Sequence, residues 1–291
     1  MSDATGTSGT IAERVITVRG LRLATAVNTI ARTALARPAL VILPAAGFVL
    51  AAYRPILERY ASERRVAALD WPGFGGSSRP SPADFSYSAA AYAELLDPWL
   101  AAVGASRFVL LGHAVGGATA LHYTQTHAER VAGLVLVAPW SLATLSPLRS
   151  LGARALSMPR LLGLLEPTRT SLALGPANPA TRTILADHRA ARRAPEHAAR
   201  LAAEAALLRS QRLPAADLRG PASALRAPAI VVRGALDPLF TAADARRATD
   251  ALGSRGALQV VLPNAGHLPW LQQPAPFMGA VSGLLETAET S

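Results

Sequence analysis

The 291-residue chain contains no cysteine. That absence excludes disulfide bonds, thiolate metal sites and cysteine nucleophiles together. Lysine is absent as well, so all 29 basic residues are arginine, and with 19 acidic residues they give a net charge of +10. Half of the chain is apolar, which is enough for a sizeable core in one domain that carries an insertion.

The sequence also lacks a long apolar run. The longest, residues 38–53, is interrupted by Pro44 and Gly47 and is shorter than the roughly 20 residues that a membrane span needs. Residues 1–12 are small and polar, without the charged start and apolar centre of a signal peptide, and predict a disordered tail. We therefore expect a cytoplasmic protein without stable membrane insertion.

Short apolar runs alternate along the chain with segments of helical spacing. Strands are predicted at 15–18, 21–25, 39–43, 66–69, 108–111, 131–138, 229–233 and 258–262. Helices are predicted at 48–60, 87–103 with a kink or break at Pro98, 118–123 and 274–285. The first two strands should pair as an antiparallel hairpin. The rest predicts an α/β fold with a doubly wound, mostly parallel sheet that binds ligands at the carboxyl ends of its strands.

The stretch 107–127 predicts a strand, a sharp turn and a helix. Its turn reads Gly112-His113-Ala114-Val115-Gly116, and this frame resembles the nucleophile elbow, G-x-S-x-G, of the α/β-hydrolase family. Taken alone, the frame is also compatible with a plain strand-to-helix turn, as in nucleotide-binding folds. Under the resemblance, Ala114 holds the nucleophile position, and its methyl group cannot attack a substrate.

Further motifs resemble the same family and occur in the family's order. They read DWPGFGGSSRP at 70–80, HAERVAGLVLVAP at 127–139, RGALDPLF at 233–240 and NAGHLPWLQQPAPF at 264–277. The resemblance implies that Asp237 is the acid and His267 the base of a catalytic triad, with the carboxylate orienting the imidazole. It implies an α/β-hydrolase core at 13–140 and 228–291.

The oxyanion hole departs from the family pattern. When residues 53–55 are aligned with the family's aromatic-Arg-Pro, Pro44-Ala45 fall on its His-Gly, and Ala46 becomes the first N–H donor. The residue after the elbow position, Val115, would supply the second donor. Alanine in place of glycine is unfavourable if the loop needs a positive φ. This second departure favours natural divergence over an engineered change of serine to Ala114, although both explanations stay open.

Three tryptophans, Trp71, Trp140 and Trp270, follow a predicted strand end or lie in the histidine loop. We assign them as candidate substrate-binding residues, with core filling beneath the insertion as the equal alternative.

Other side chains near the motifs point to simpler roles. Ser77, Ser78 and Ser141 could provide a shifted nucleophile, but turn and capping roles are favoured. The histidines around the elbow lack ligands at metal spacing, and we expect neither a metal nor a cofactor.

The insertion at 141–227 lies where the family carries its cap, and its composition predicts helices. Between Arg149 and Arg226 there are 13 arginines and five acidic residues. Such a helical cap could attract anionic substrates, acyl carboxylates or a membrane surface, or it could simply present solvated faces. Nucleic acid is disfavoured because the cap lacks stacking aromatic residues.

The resemblance implies a serine hydrolase of esters or related small acyl compounds, including anionic ones, with a small molecule as its partner. With Ala114 it should be inactive in acyl-enzyme chemistry. Two alternatives remain, namely a ligand-binding or regulatory pseudoenzyme and a catalyst that uses His267 as a non-covalent general base. Haloalkane dehalogenase and epoxide hydrolase chemistry is disfavoured, because both need an aspartate at the elbow.

Overall fold

The computed structural model describes residues 9–140, 157–210, 227–252 and 257–290. These ranges contain one eight-stranded sheet of order β1-β2-β4-β3-β5-β6-β7-β8. All pairs from β4 to β8 are parallel, whereas β1 and β2 form an antiparallel hairpin that joins β4 antiparallel. The strands are β1 Ile11–Val18, β2 Leu21–Asn28, β3 Ala39–Leu43, β4 Val66–Leu69, β5 Phe108–His113, β6 Val131–Val137, β7 Ala229–Gly234 and β8 Leu258–Leu262. The predicted doubly wound α/β sheet is confirmed.

The central strands are buried on both faces. Every residue of β3, β5, β6 and β7 is buried, because helices cover both sides of a parallel sheet. Successive residues alternate between two hydrophobic clusters: Val41 belongs to one and Ile42 to the other. The uniformly apolar runs in the sequence reflect this two-sided burial.

Helices lie between most of the strands. They are α1 Leu50–Tyr60, α2 Ala89–Ala93, α3 Leu96–Ala102, α4 Val115–Thr124, α5 Pro159–Leu174, α6 Pro179–Ala191, α7 His197–Ser210, α8 Ala242–Leu252, α9 Pro269–Gln272 and α10 Pro274–Thr290. The predicted helix at 87–103 is divided into α2 and α3. Its break falls at Glu94 and Leu95, because the Pro98 ring would clash with the carbonyl four residues before it.

The amino-terminal end of the sheet corrects one expectation. Ile11 and Ala12 pair with Asn28 and Val27 in the hairpin, so their assignment to a disordered tail is wrong. Residues 1–8 of that tail lie outside the described residues.

Helices α5, α6 and α7 follow β6 in the chain and precede β7, and we call them the cap helices. Leu162 of α5 packs against Leu201 and Ala205 of α7 in a small separate cluster. Asn178 begins α6 with a capping box, since its side chain accepts the N–H of Thr181 and Thr181 Oγ1 accepts the N–H of Asn178. The predicted cap segments 141–156 and 211–226 lie outside the described residues, and the cap boundaries stay a prediction.

Within the described residues, no helix is both long and apolar enough to span a bilayer.

Candidate active site

The turn between β5 and α4 holds Ala114 in a strained backbone conformation. Its φ is 49° and its ψ is −110°, a region that residues with a Cβ adopt at a cost. The Ala114 N–H donates to the carbonyl of Val137 at 2.9 Å and so joins the turn to β6. A Cβ on Gly116 would lie 1.9 Å from the Leu43 carbonyl oxygen. Only glycine therefore lets α4 begin so close to the end of β3.

Asp237 and His267 meet beyond the ends of β7 and β8. His267 Nδ1 lies 2.7 Å from Asp237 Oδ2, and both side chains are almost fully buried. The other carboxylate oxygen accepts the N–H of Leu239 at 2.8 Å, which fixes the carboxylate plane. Gly234, at the end of β7, lets the histidine loop pack on that strand, because a Cβ there would lie 2.1 Å from the Gly266 carbonyl oxygen. The structure therefore brings the two sequence-predicted residues into one hydrogen bond.

The histidine loop is hydrogen-bonded to the end of cap helix α5. The His267 N–H donates to the Ala173 carbonyl at 2.8 Å. Gln272 joins the same two segments, because its Oε1 accepts the Gly266 N–H at 2.7 Å and its Nε2 donates to the Leu174 carbonyl at 2.6 Å. The position of His267 is thus set by contacts with the cap as well as by Asp237.

A buried chain of polar groups, which sequence reasoning missed, connects the elbow to the loop after β3. Tyr53 Oη accepts the Ala45 N–H at 2.8 Å and lies 2.7 Å from His113 Nδ1. The His113 ring centroid lies 4.5 Å from that of His267. Burial, and secondarily the nearby His267, hold the pKa of His113 well below its ordinary value. His113 is therefore neutral, and its Nδ1 can accept the Tyr53 hydroxyl proton.

The two candidate oxyanion donors lie in the loop after β3 and at the start of α4. Ala46 lines a cavity together with His267, and Val115 is the first residue of α4. Among the described residues, neither N–H donates a hydrogen bond. Ala45 does not adopt a positive φ; the loop instead has one at Gly47, at 84°. The expected conflict between alanine and the loop conformation is therefore absent.

The three tryptophans separate into two groups. Trp71 and Trp270 are buried, and their indole N–H groups donate to the carbonyls of Pro44 at 2.8 Å and Ala52 at 2.7 Å. Neither tryptophan lines the cavity that Ala46 and His267 border, and neither lines the second cavity next to it. Trp71 and Trp270 belong to the two hydrophobic clusters beside the sheet, which favours the core-packing alternative, and a substrate-binding role for them stays a prediction. Trp140 does line the cavity with His267.

The serines of the loop after β4 support the backbone. Ser77 Oγ accepts the Ala24 N–H at 2.9 Å, and Ser78 Oγ accepts the Arg22 N–H at 2.8 Å. Both hydroxyls thus hold the loop against β2, as the turn interpretation expects. Ser141 lies outside the described residues.

Asp70 joins this loop to the start of α1. Its two carboxylate oxygens accept the N–H groups of Leu50 and Gly76, both at 2.9 Å. A Cβ on Gly75 would lie 1.8 Å from the carboxylate, so the glycine-rich motif makes room for a buried acid. Burial raises the pKa of Asp70 to about 6 despite these hydrogen bonds.

Two neighbouring cavities lie between the sheet and the cap helices. The smaller, of about 50 Å³, is bordered by His267, Ala46 and Trp140 on the core side. The larger, of about 150 Å³, has a mainly apolar wall that includes Phe74 and Ile184. Residues common to both are Gly47, Phe48, His188 and Arg200. In the parts of the chain that the structure describes, no group of three or more His, Asp or Glu side chains is arranged to hold a metal ion.

Comparison with known proteins first identifies short related segments. A probable 1-acylglycerol-3-phosphate O-acyltransferase of Oryza sativa subsp. japonica is 42% identical over 84 residues, which cover 27% of this chain and 20% of the relative. The 1-acylglycerol-3-phosphate O-acyltransferase ABHD5 of Rattus norvegicus is 35% identical over 102 residues, which cover 35% of this chain and 29% of the relative. The aligned parts thus span less than a third of these relatives.

Solved structures share the fold over nearly the whole chain. The enol-lactonase from Burkholderia xenovorans LB400 superimposes with a TM-score of 0.76 at 21% identity, covering 94% of this chain and 100% of the lactonase. A membrane phospholipase A superimposes with a TM-score of 0.73 at 22% identity, covering 97% of this chain and 88% of the phospholipase. The family model described as alpha/beta hydrolase fold matches residues 38–274. The chain therefore belongs to the α/β-hydrolase-fold family.

Proposed function

We propose that this protein binds a small acyl compound, such as an ester, beneath its cap helices and does not form an acyl-enzyme. One observation carries the proposal. Ala114 places a methyl group at the strained elbow, while Asp237 and His267 are joined by a 2.7 Å hydrogen bond. The acid and the base of a catalytic triad are thus present, but the nucleophile is replaced by the methyl group of Ala114.

The surrounding groups fit an acyl ligand. The N–H groups of Ala46 and Val115 would donate to a carbonyl oxygen, and the start of α4 adds the positive end of a helix dipole. With Nδ1 of His267 engaged by Asp237, its Nε2 would serve as the proton acceptor. The proteins that this chain resembles include an acyltransferase, an enol-lactonase and a phospholipase A, and the names of all three refer to acyl chemistry.

Non-covalent catalysis by His267 is a second candidate, because this side chain borders a cavity while remaining paired with Asp237. In that case the imidazole would take a proton from water or from the ligand itself. Turnover by the unaltered chain that is lost in His267→Ala would favour this candidate.

The test is Ala114→Ser, assayed with short-chain aryl esters. The new Oγ would attack the carbonyl carbon, His267 would take its proton and return it to the departing phenolate, and water would then release the acyl group. We expect hydrolysis to rise by orders of magnitude, because a covalent route becomes available. The matched control is Ala118→Ser, which adds the same hydroxyl at a buried position within α4 and should give no gain.

Two further outcomes decide the proposal. Adding His267→Ala to the serine variant should abolish the gain, since the new hydroxyl would lose its base. A serine variant that folds, binds an ester analogue and stays inert would contradict a working Asp237–His267 pair. Failure of the unaltered chain to bind any ester analogue would contradict the binding proposal itself.

A further inference from the structure

Cap helix α5 exposes large apolar side chains along one of its sides. The exposed residues are Met158 at 58%, Leu164 at 73%, Leu165 at 38% and Leu172 at 60%. Together with the partly exposed Leu161, the three leucines occupy positions i, i+3, i+4 and i+11, which share one side of a helix. Met158 immediately precedes the helix. We call these five residues the α5 stripe.

The exposed apolar surface is concentrated near the cavity of His267. Ten large apolar side chains are exposed among the described residues, and four of them belong to the α5 stripe. Two more, Leu236 and Leu239, lie in the loop after β7. Leu239 borders the cavity of His267, as does Ala173 of α5. Apolar surface that is concentrated in this way marks a site of interaction with a protein or a membrane.

The inner side of α5 already has its packing partners. Leu162 packs against Leu201 and Ala205 of α7, and the Ala173 carbonyl accepts the His267 N–H. The α5 stripe contributes to none of these contacts. Its leucines are therefore not explained by the packing of the helix on the protein.

The exposed charges of the cap helices are mainly positive. The buried charges balance one another, because Glu166 pairs with Arg200 and Glu204 pairs with Arg169. In residues 157–210 the exposed acids are Asp187 and Glu196, whereas the exposed arginines are Arg160, Arg182, Arg189, Arg192, Arg193 and Arg209. Six arginines against two acids leave an excess of four positive charges at the surface.

Some of these arginines lie beside the α5 stripe. Arg160 belongs to α5 itself, and Arg189 and Arg192 border the same cleft as Pro167 and Ser171 of α5. The remaining residues of the insertion, 141–156 and 211–226, contain five arginines and one aspartate. The insertion as a whole thus combines exposed apolar side chains with positive charge.

We infer that the α5 stripe docks on a lipid bilayer that contains anionic headgroups. The leucines would enter the boundary between headgroups and acyl chains, while the arginines beside them would contact lipid phosphates. Binding to such a surface grows with the apolar area buried and with electrostatic attraction to anionic lipids. This docking requires no membrane-spanning helix, and it does not depend on the function proposed above.

Two features of the α5 stripe favour a bilayer over a protein partner. A second copy seated on the stripe would bring the arginine excess of both copies together, and like charges repel. Protein interfaces derive most of their affinity from tryptophan, tyrosine and arginine, whereas leucine is under-represented among their strongest contacts. The α5 stripe contains no aromatic residue, and a fluid bilayer does not need one.

The first test measures binding of the unaltered full chain to vesicles by co-sedimentation. One set of vesicles would be phosphatidylcholine alone, and the other would contain about one third phosphatidylglycerol. The chain should bind the anionic vesicles at least about tenfold more tightly, because each arginine near the surface adds to the attraction. Raising the salt from about 0.1 to 0.5 M should weaken this binding several-fold. No binding to anionic vesicles, or equal binding to both sets, would overturn the inference.

A matched pair of variants tests whether the leucines carry the contact. Leu164→Gln combined with Leu172→Gln should weaken binding to anionic vesicles at least about tenfold, because two apolar side chains are lost from the contact. The control is Leu258→Gln in β8, where the leucine is 65% exposed, and its binding should stay within about twofold. If the double variant does not fold, Leu164→Gln alone should weaken binding several-fold. Unchanged binding of the stripe variant, or an equal loss in the control, would refute a role for the α5 stripe.

Light scattering of the lipid-free chain separates the bilayer from a second copy. We expect a monomer over the concentrations used for sedimentation. A dimer that Leu164→Gln dissociates would show that a second copy covers the α5 stripe, and the inference would be wrong. Vesicle binding that salt abolishes but the leucine variants leave unchanged would assign the contact to the arginines alone and would also overturn it.

Discussion

The strain at Ala114 predicts an unusual response to glycine. At a φ of 49° and a ψ of −110°, an alanine costs about 1–3 kcal/mol, which glycine would largely relieve. Against that gain stand the loss of one buried methyl group, about 0.8 kcal/mol, and the greater entropy of glycine in the unfolded chain, about 0.4–1 kcal/mol. Ala114→Gly should therefore be neutral or stabilising by about 1 kcal/mol.

Ala120→Gly provides the comparison, because Ala120 is as buried as Ala114 but lies within α4 and has ordinary helical geometry. Here glycine lowers helix propensity by about 1 kcal/mol and removes a methyl group worth about 0.8 kcal/mol. The loss should be about 2 kcal/mol, or a fall in Tm of roughly 4–8 °C.

Urea unfolding followed by circular dichroism and thermal denaturation would measure both variants against the unaltered chain. We expect the two glycine variants to differ by about 2–3 kcal/mol. An Ala114→Gly variant that loses as much stability as Ala120→Gly would refute the reasoning, because the elbow would then store no strain.

Two further predictions concern buried polar groups. Tyr53→Phe deprives the Ala45 N–H and His113 Nδ1 of their partner, so unfolding free energy should fall by about 2 kcal/mol in urea; unchanged stability would contradict this hydrogen-bond chain. For Asp70, burial raises the folded pKa from 3.8 to about 6, so between these values the folded state binds more protons than the unfolded state. The contribution of this group to the free energy of unfolding should fall by about 2 kcal/mol as pH rises from 4 to 6. Asp70→Asn imitates the protonated acid and should lack that fall, and parallel pH profiles for the two proteins would refute the assignment.

The sheet was largely predictable because its strands are buried on both faces. In β3 and β5 every residue had to be apolar, and such runs stand out in a sequence. The start of β1 was missed for the opposite reason. Glu13 and Arg14 are exposed on an edge strand, so that segment resembles a polar tail, and its pairing with β2 is a long-range contact.

At the candidate site, motifs located Asp237 and His267 because sequence order and spacing specify the loops that carry them. The tryptophans were harder, because a residue near a strand end can point into the pocket or into the core. The indole N–H of Trp270, for example, donates to the carbonyl of Ala52, and these two residues are 218 positions apart in the sequence. The pair between Glu166 and Arg200 spans two helices, and helical periodicity does not specify which faces meet.

The hydrogen bonds between the histidine loop and α5 restrict how a ligand can enter. The carboxyl-terminal end of α5 is fixed to the histidine loop through Ala173 and Leu174. We therefore expect this end to stay in place while other parts of the cap helices move. Any opening that separated this end from the sheet would also pull His267 away from Asp237. Entry without loss of that pair must therefore come from movement of α6 and α7, on the side where Arg200 borders both cavities.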